Sequence, residues 1–303
     1  MKLRLGTRGS RLALVQTEMV ANALRAQGAL VEVVVIRTSG DRLGQAALAD
    51  FGGKALFVKE IEEALLTRQA DVGVHSLKDM PAELPAGLTL AAFPAREDPR
   101  DVLVSREAPG WDALPAGARV GTSSLRRRAM VLARRPDLQP EAIRGNVETR
   151  IDKLSAGAYD AIVLASAGLR RLGLNPPHAL SLDVDEFVPA VGQGILAVEA
   201  READREVLEL LNRLDDTRSR SEALAERAFL HRLGADCHTP VAGHARLDGS
   251  ALTLTGVVAS LDGARTLRAR ASGPSRDAER LGGTVADELL AKGARALLDA
   301  SRG

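Results

Sequence analysis

Cysteine and aromatic residues are scarce in this chain of 303 residues, which has one Cys, one Trp, one Tyr and five Phe. A single cysteine excludes a disulfide within the chain. Few aromatic rings argue against single-stranded nucleic acid as a ligand, because such sites usually stack bases on aromatic side chains. The cores must be aliphatic, and 45% apolar residues are enough to build them.

Long apolar runs are also missing, since none approaches the roughly 20 residues of a membrane helix. The start, Met1-Lys2-Leu3-Arg4, alternates polar and apolar residues and has no signal-peptide core behind it. With 41 basic and 40 acidic residues, no net charge attracts nucleic acid or anionic membrane. These features predict a cytoplasmic protein of two or three domains.

Strand-like and helix-like segments alternate over the first two-thirds of the chain. The pattern predicts strands over 31–36, 71–75, 88–93, 101–105, 119–121 and 160–165, and helices over 10–27, 58–69 and 148–156. Such alternation predicts α/β layers with largely parallel sheets. Two proline-containing stretches, 93–100 and 187–194, are predicted boundaries between lobes.

The pattern changes after about residue 217. A helix is predicted over 218–233, followed by strands over 241–247, 251–260 and 265–271 with Asp-Gly turns between them. One long helix over 276–298 is predicted to close the chain. These elements predict a small α+β domain with an antiparallel sheet.

Three loops that open predicted helices carry arginine, at 6–10, 121–127 and 144–150, and Asn146 is a predicted N-cap. Arginine is mildly unfavourable at the positive end of a helix dipole, so its presence there suggests a bound anion. No glycine-rich phosphate motif is present, which favours a carboxylate. Ordinary surface arginines, or a nucleic-acid patch at 126–128 and 134–135, stay open as alternatives.

Two further residues could carry chemistry. Asp79 follows a predicted strand and could stabilise a cationic intermediate and exchange protons, or form an ordinary ion pair. Cys237 lies in a predicted loop, where it could be a reactive group or a small buried hydrophobe. A Cys–His hydrolase is a further alternative, and so is a zinc site with His231, His238 and His244.

Taken together, several segments closely resemble the porphobilinogen deaminase (hydroxymethylbilane synthase) family over essentially the full length. The matching segments are 7–14 (TRGSRLAL), 52–60 (GGKALFVKE), 74–81 (VHSLKDMP), 96–101 (REDPRD), 121–127 (GTSSLRR), 138–150 with its RGNV core, 189–194 (PAVGQG) and the Cys237 loop. Singly some of these segments are weak signals, but their order and spacing are highly specific.

The resemblance implies an α/β protein with two lobes similar to those of periplasmic binding proteins, containing mixed sheets, and a small C-terminal α+β domain with a three-stranded antiparallel sheet. The implied domains are 1–95 with 194–214, 100–188, and 217–303. It further implies a dipyrromethane cofactor, held as a thioether on Cys237. Four porphobilinogen molecules would be added to it head to tail with loss of ammonia, and hydrolysis would release hydroxymethylbilane.

The resemblance also implies the site. Asp79 would be the catalytic carboxylate, while Lys54 and Lys78 would hold cofactor carboxylates. The remaining cofactor- and substrate-binding residues would be Arg8, Ser10, Ser76, Thr122, Ser123, Ser124, Arg126, Arg127, Arg144, Gly145, Asn146, Arg150, Arg171 and Gln193. No metal, nucleotide, nucleic acid or membrane is implied. A monomer is expected, with hand-off of its product to the next enzyme of the pathway.

The chain departs from the family pattern at two places. Ala235-Asp236 stands before the cysteine where the family usually has Gly-Gly, and alanine resists a positive φ that glycine permits. Asp50 stands where relatives often carry lysine, so it is not expected to bind the cofactor. The rival interpretation is a two-lobed carboxylate receptor or regulator without catalysis, which shares the lobes and the arginines.

Overall fold

The computed structural model describes residues 1–36, 58–236 and 239–301. Internal contacts divide the chain into two compact units, Met1–Glu97 with Ile195–Ala223, and Asp98–Gly194 with Leu224–Gly303. Lys54 and Cys237, both predicted site residues, lie outside the described residues. The three-domain division implied by the resemblance stays a prediction.

The described strands and helices, in chain order, have the following bounds. The strands are β1 Lys2–Thr7, β2 Leu30–Val35, β3 Val72–Ser76, β4 Leu88–Ala92, β5 Asp101–Ser105, β6 Arg119–Gly121, β7 Gln139–Glu141, β8 Ala161–Ala165, β9 Ala179–Ser181, β10 Leu196–Arg201, β11 Val241–Asp248, β12 Ala251–Ala259 and β13 Thr266–Pro274. The helices are α1 Arg11–Ala26, α2 Lys59–Leu66, α3 Leu125–Arg134, α4 Val147–Ser155, α5 Ser166–Leu172, α6 Arg205–Asn212, α7 Thr217–Leu233, α8 Ala278–Ala291 and α9 Ala294–Ala300.

The first unit is built on a five-stranded sheet in the order β2-β1-β3-β10-β4. Strand β1 is parallel to β2 and β3, whereas β10 is antiparallel to β3 and β4. Leu3 and Leu5 alternate along β1 and are both buried, as expected for a strand with one face in the core. Helix α1 contributes Val20 and Leu24 to the same core.

The second unit contains a five-stranded sheet in the order β7-β6-β8-β5-β9 and a three-stranded sheet in the order β11-β12-β13. Every residue of the mostly apolar strand β5 is buried, including the charged Asp101. The three-stranded sheet is antiparallel, and Phe229 of α7 and Val285 of α8 belong to its core. A Cβ at Gly256 would lie 2.6 Å from the Phe229 ring, so glycine lets that ring pack against the sheet.

The predicted fold class is confirmed: an α/β chain with two mixed sheets and a small antiparallel sheet near its C-terminal end. The expectation of largely parallel sheets was wrong. Each five-stranded sheet has two parallel and two antiparallel pairings. In the first unit the antiparallel pairings arise because the distant segment β10 inserts between β3 and β4.

The single helix predicted over 276–298 was also wrong. The structure has a short 3₁₀ turn at Ser275–Asp277, then α8, then α9. Gly293 has a φ of +93°, in the left-handed region, and separates the two helices as a helix-ending glycine does. Among the described residues, no helix is both long enough and apolar enough to cross a bilayer.

Candidate active site

The first unit gathers four predicted site residues at one sheet edge. Strands β1 and β3 are parallel neighbours, so the loops after their carboxyl ends meet at the same edge. The loop after β1 carries Arg8 and Ser10, and the segment that ends β3 carries Ser76 and leads to Asp79. All four line one small cavity of about 80 Å³. The structure therefore places the predicted catalytic carboxylate beside a predicted carboxylate-binding arginine.

Hydrogen bonds fix the walls of this cavity. Ser10 is the N-cap of α1 and accepts a hydrogen bond from the Ala13 amide at 3.3 Å. Ser76 Oγ accepts one from Gln16 Nε2 at 2.9 Å. Asp79 ends a 3₁₀ turn, Leu77–Asp79, that also carries the half-buried Lys78. Local structure thus holds the two hydroxyls in place around the carboxylate.

Gln16 was not predicted as a site residue, although it lines the same cavity. Its side chain is buried on the core-facing side of α1, among apolar neighbours. A glutamine on an apolar helix face is the signal that could have identified it, because a buried amide needs hydrogen-bond partners.

In the second unit, two predicted arginines converge on one buried carboxylate. Arg126 Nη1 lies 2.8 Å from Asp101 Oδ2, and Arg127 Nη2 lies 2.6 Å from Asp101 Oδ1. Arg126 and Arg127 are 4% and 7% exposed, and Asp101 is fully buried. Neither arginine is an ordinary surface residue, and neither can belong to an exposed nucleic-acid patch.

Charge pairing stabilises this buried cluster. Burial by itself raises the pKa of Asp101, but the charges of Arg126 and Arg127 outweigh it and hold that pKa well below its ordinary value. Burial lowers the pKa of Arg126, which Asp101 opposes. Gln193, another predicted site residue, donates from Nε2 to Asp101 Oδ1 at 3.0 Å. With two guanidinium groups and one carboxylate, the cluster keeps an excess positive charge.

The hydroxyl-rich loop before α3 is organised by its own side chains. Ser124 is the N-cap and accepts from the Arg127 amide at 3.4 Å. Thr122 Oγ1 accepts from the Ser124 amide at 3.2 Å, and Ser123 Oγ donates to the Ile143 carbonyl at 2.7 Å. Ser123 is exposed, but its single O–H is used by the Ile143 carbonyl, so it could donate to an acidic ligand only by giving up that bond.

The loop before α4 depends on a glycine. Asn146 caps the helix, as predicted, accepting from the Thr149 amide at 2.8 Å. Gly145 has a φ of +114°, and a Cβ there would lie 2.7 Å from Thr149 Cγ2, so only glycine fits. Arg150 Nε donates to the Gly145 carbonyl at 2.8 Å, while Arg144 is exposed.

Arg171 lies in α5 and is half-buried. Its Nη2 donates to the Gly194 carbonyl at 2.7 Å. The bond ties this predicted substrate arginine to the end of the segment that carries Gln193.

Asp236 and Thr239, which flank Cys237 and His238 in the sequence, are hydrogen-bonded to each other. Gly234, after α7, has a φ of +60°, whereas Ala235 and Asp236 are not among the described non-glycine residues with positive φ. The alanine that replaces the family's glycine is therefore not strained. The Asp236 amide donates to Thr239 Oγ1 at 3.1 Å, and the Thr239 amide donates to the Asp236 carbonyl at 3.2 Å. Cys237 and His238 lie outside the described residues, so the roles predicted for them stay predictions.

These features define a class of protein: a two-unit α/β chain whose sheet edge and helix starts carry a carboxylate, arginines and hydroxyls suited to small acidic molecules. The family model described as "Porphobilinogen deaminase, dipyromethane cofactor binding domain" matches residues 3–209. The model for the C-terminal domain of the same family matches residues 221–291.

Curated relatives agree with the family models. A porphobilinogen deaminase from Syntrophobacter fumaroxidans is 49% identical over 299 residues, covering 98% of this chain and 97% of the relative. One from Roseiflexus castenholzii is 51% identical over 298 residues, covering 98% of each chain. The chain belongs to the porphobilinogen deaminase family, as the sequence motifs predicted.

Among solved structures, a periplasmic binding protein of Salmonella typhimurium with high arginine specificity has a TM-score of 0.42 and 14% identity. The match covers 70% of this chain and 91% of that one. Family membership rests on the sequence matches alone.

Proposed function

We propose that this chain condenses four porphobilinogen molecules head to tail on a dipyrromethane primer, releasing ammonia and then hydroxymethylbilane. The observation that carries the proposal is the match to porphobilinogen deaminases at about half identity over 98% of the chain. None of these matches favours the rival interpretation, a carboxylate receptor without catalysis.

Asp79 is the proposed catalytic group. Loss of ammonia from the aminomethyl group of porphobilinogen leaves a cationic carbon, which a nearby carboxylate stabilises. Asp79 is half-buried and lines the same cavity as Arg8, Ser10 and Ser76. The terminal pyrrole ring of the bound chain then attacks this carbon. The attack leaves a surplus proton on the attacking ring, and Asp79 would accept this proton.

The arginines are the proposed binding groups for the acetate and propionate side chains of the substrate. Arg8 shares the cavity of Asp79, and Arg144 is exposed at a helix start. The excess positive charge of the Arg126–Arg127–Asp101 cluster would attract carboxylates to the start of α3. Arg150, Arg171 and the hydroxyls of the 122–124 loop would complete this set.

The cofactor would be attached through Cys237. When bound, dipyrromethane supplies the pyrrole carbon to which the first substrate unit is added. The proposed cofactor-binding lysines are Lys54 and Lys78. Asp236 and Thr239, which flank the cysteine in the sequence, are joined to each other by hydrogen bonds.

A cytoplasmic monomer that hands its linear product to the next enzyme completes the proposal. The near balance of 41 basic and 40 acidic residues supports only the expectation that the chain does not bind a membrane or nucleic acid through its net charge. Light scattering on purified protein tests the monomer, and a dimeric mass would refute it.

The proposed activity is tested by supplying porphobilinogen to wild-type protein and to Asp79→Asn, and by measuring ammonia and hydroxymethylbilane. We expect turnover in the wild type and a loss of at least about a hundredfold in the variant, because proton transfer and charge stabilisation both disappear. Asp248→Asn, at an exposed hairpin end, is the matched control and should keep wild-type turnover. Near wild-type rates in Asp79→Asn would remove Asp79 from the mechanism.

A further inference from the structure

Three ionisable side chains that the proposed chemistry does not use lie buried together in the first unit. They are Glu62 on α2, His75 on β3 and Glu199 on β10, with 7%, 6% and 0% exposure. His75 Nε2 lies 3.0 Å from Glu199 Oε2. Burying three such groups costs free energy unless they compensate one another, so their grouping requires an explanation.

The strand register builds this arrangement. On the antiparallel pair β3 and β10, His75 faces Ala197 and Gly73 faces Glu199, so His75 and Glu199 lie diagonally on the same face. A Cβ at Gly73 would lie 2.8 Å from His75 Nε2 and 3.0 Å from Ile61 Cγ2 of α2. Glycine at this position therefore leaves the space that the imidazole occupies between the sheet and the helix.

The cluster contains one carboxylate more than a single ion pair with His75 requires. One imidazolium would be balanced by one carboxylate, yet two are buried here. Glu62 Oε1 and Glu199 Oε1 are both buried without a hydrogen-bond partner among the residues that the structure describes. Burial, followed by the charge of Glu199, raises the pKa of Glu62 to about 7, while His75 opposes this rise. A proton shared within the group relieves the repulsion between the two carboxylates.

The cluster adjoins the candidate active site. His75 lines the same cavity as Asp79 and Arg8. It also lies at the end of β3, four positions before Asp79, with only Ser76 and the 3₁₀ turn between them. Among the residues that the structure describes, the charged groups near the imidazole are Glu199 of β10 and Glu62 of α2, and Arg8 and Asp79 line the same cavity.

We propose that Glu62, His75 and Glu199 form one buried proton-sharing cluster that positions Asp79 and sets the charge behind it. This inference rests on the proposed function. When the cluster loses one proton to water, the wall behind the cavity becomes more negative by one charge. That charge favours the cationic state formed when ammonia leaves, so turnover rises as the proton departs. The three residues are positioning residues, because they act through the charge that they place behind the cavity of Asp79.

The test compares the pH profiles of kcat and KM for the full-length wild type, Glu62→Gln, and Glu63→Gln as a matched control. Glu63 is the exposed neighbour on the same helix. We expect Glu62→Gln to lose the rise in kcat near neutral pH and to be about tenfold slower above it, with KM within about twofold. Glu63→Gln should follow the wild type. If Glu62→Gln follows it too, the inference is overturned.

A second measurement needs no active-site turnover. In wild-type protein labelled with ¹⁵N-histidine, the ring resonances of His75 are assigned by their loss in His75→Asn. Their dependence on pH should differ between the wild type and Glu62→Gln, because the imidazole shares its surroundings with the Glu62 carboxyl. If the His75 ring resonances depend on pH in the same way in the wild type and in Glu62→Gln, the inference is overturned. Failure of the wild type to release ammonia would instead overturn the proposed function and leave this measurement valid.

Discussion

The buried carboxyl of Glu62 gives a sharp prediction about stability. Its ordinary pKa is 4.5, and burial followed by the charge of Glu199 raises it to about 7 in the folded protein. The folded state therefore binds this proton more tightly than the unfolded state does. The resulting stability is fully present below the unfolded pKa and is lost as the pH rises through about 7. Glu62→Gln, which cannot ionise, removes this dependence.

The magnitude follows from linkage. A rise of this size is worth about 3 kcal/mol in total, and most of it falls between roughly pH 5 and pH 8. The free energy of unfolding of wild type minus that of Glu62→Gln should therefore fall by about 2–3 kcal/mol between those pH values. Urea unfolding followed by circular dichroism measures it, with Glu63→Gln as control. An equal difference at both pH values would show that folding does not raise the pKa of Glu62.

Two further predictions concern the second unit. Asp101→Ala leaves Arg126 and Arg127 buried without their carboxylate and should destabilise the protein by about 3–5 kcal/mol. Asp137→Ala, at an exposed site, should destabilise it far less. Thermal unfolding measures both variants, and equal effects would contradict the pairing. Gly145→Ala forces a φ of +114° on alanine against Thr149. It should lower stability by about 1–3 kcal/mol, while Gly283→Ala, in an open helical position, should be neutral or stabilising. If Gly145→Ala does not lower the stability, the loop can adopt another conformation.

Local patterns in the sequence predicted much of the fold. The alternation of strand-like and helix-like segments placed β5 and β6 with the bounds that the structure shows, and the Asn146 cap followed from the residue type at the start of a predicted helix. Pairings between distant segments could not be predicted in this way. Strand β10 joins β3 across more than a hundred residues, and nothing local to Leu196–Arg201 specifies an antiparallel neighbour.

The same limit applies to the site. The family motifs predicted Arg8, Ser10, Ser76 and Asp79 as site residues. The parallel pairing of β1 with β3 explains why these four residues line one cavity. Asp101, by contrast, lies 26 positions from Arg127, and only the fold shows that they are paired. Glu62 looks like one of several surface glutamates in the sequence, yet its position on α2 turns it toward the core.

The intact mass of the purified protein, measured for the wild type and for Cys237→Ser, shows directly whether a primer is bound to Cys237. We expect the wild type to exceed the mass of the bare chain by two pyrrole units, with the excess located on the peptide that contains Cys237 and absent from the variant. A wild-type protein with only the bare chain mass, which also releases no ammonia from porphobilinogen, would contradict both the covalent primer and the proposed activity.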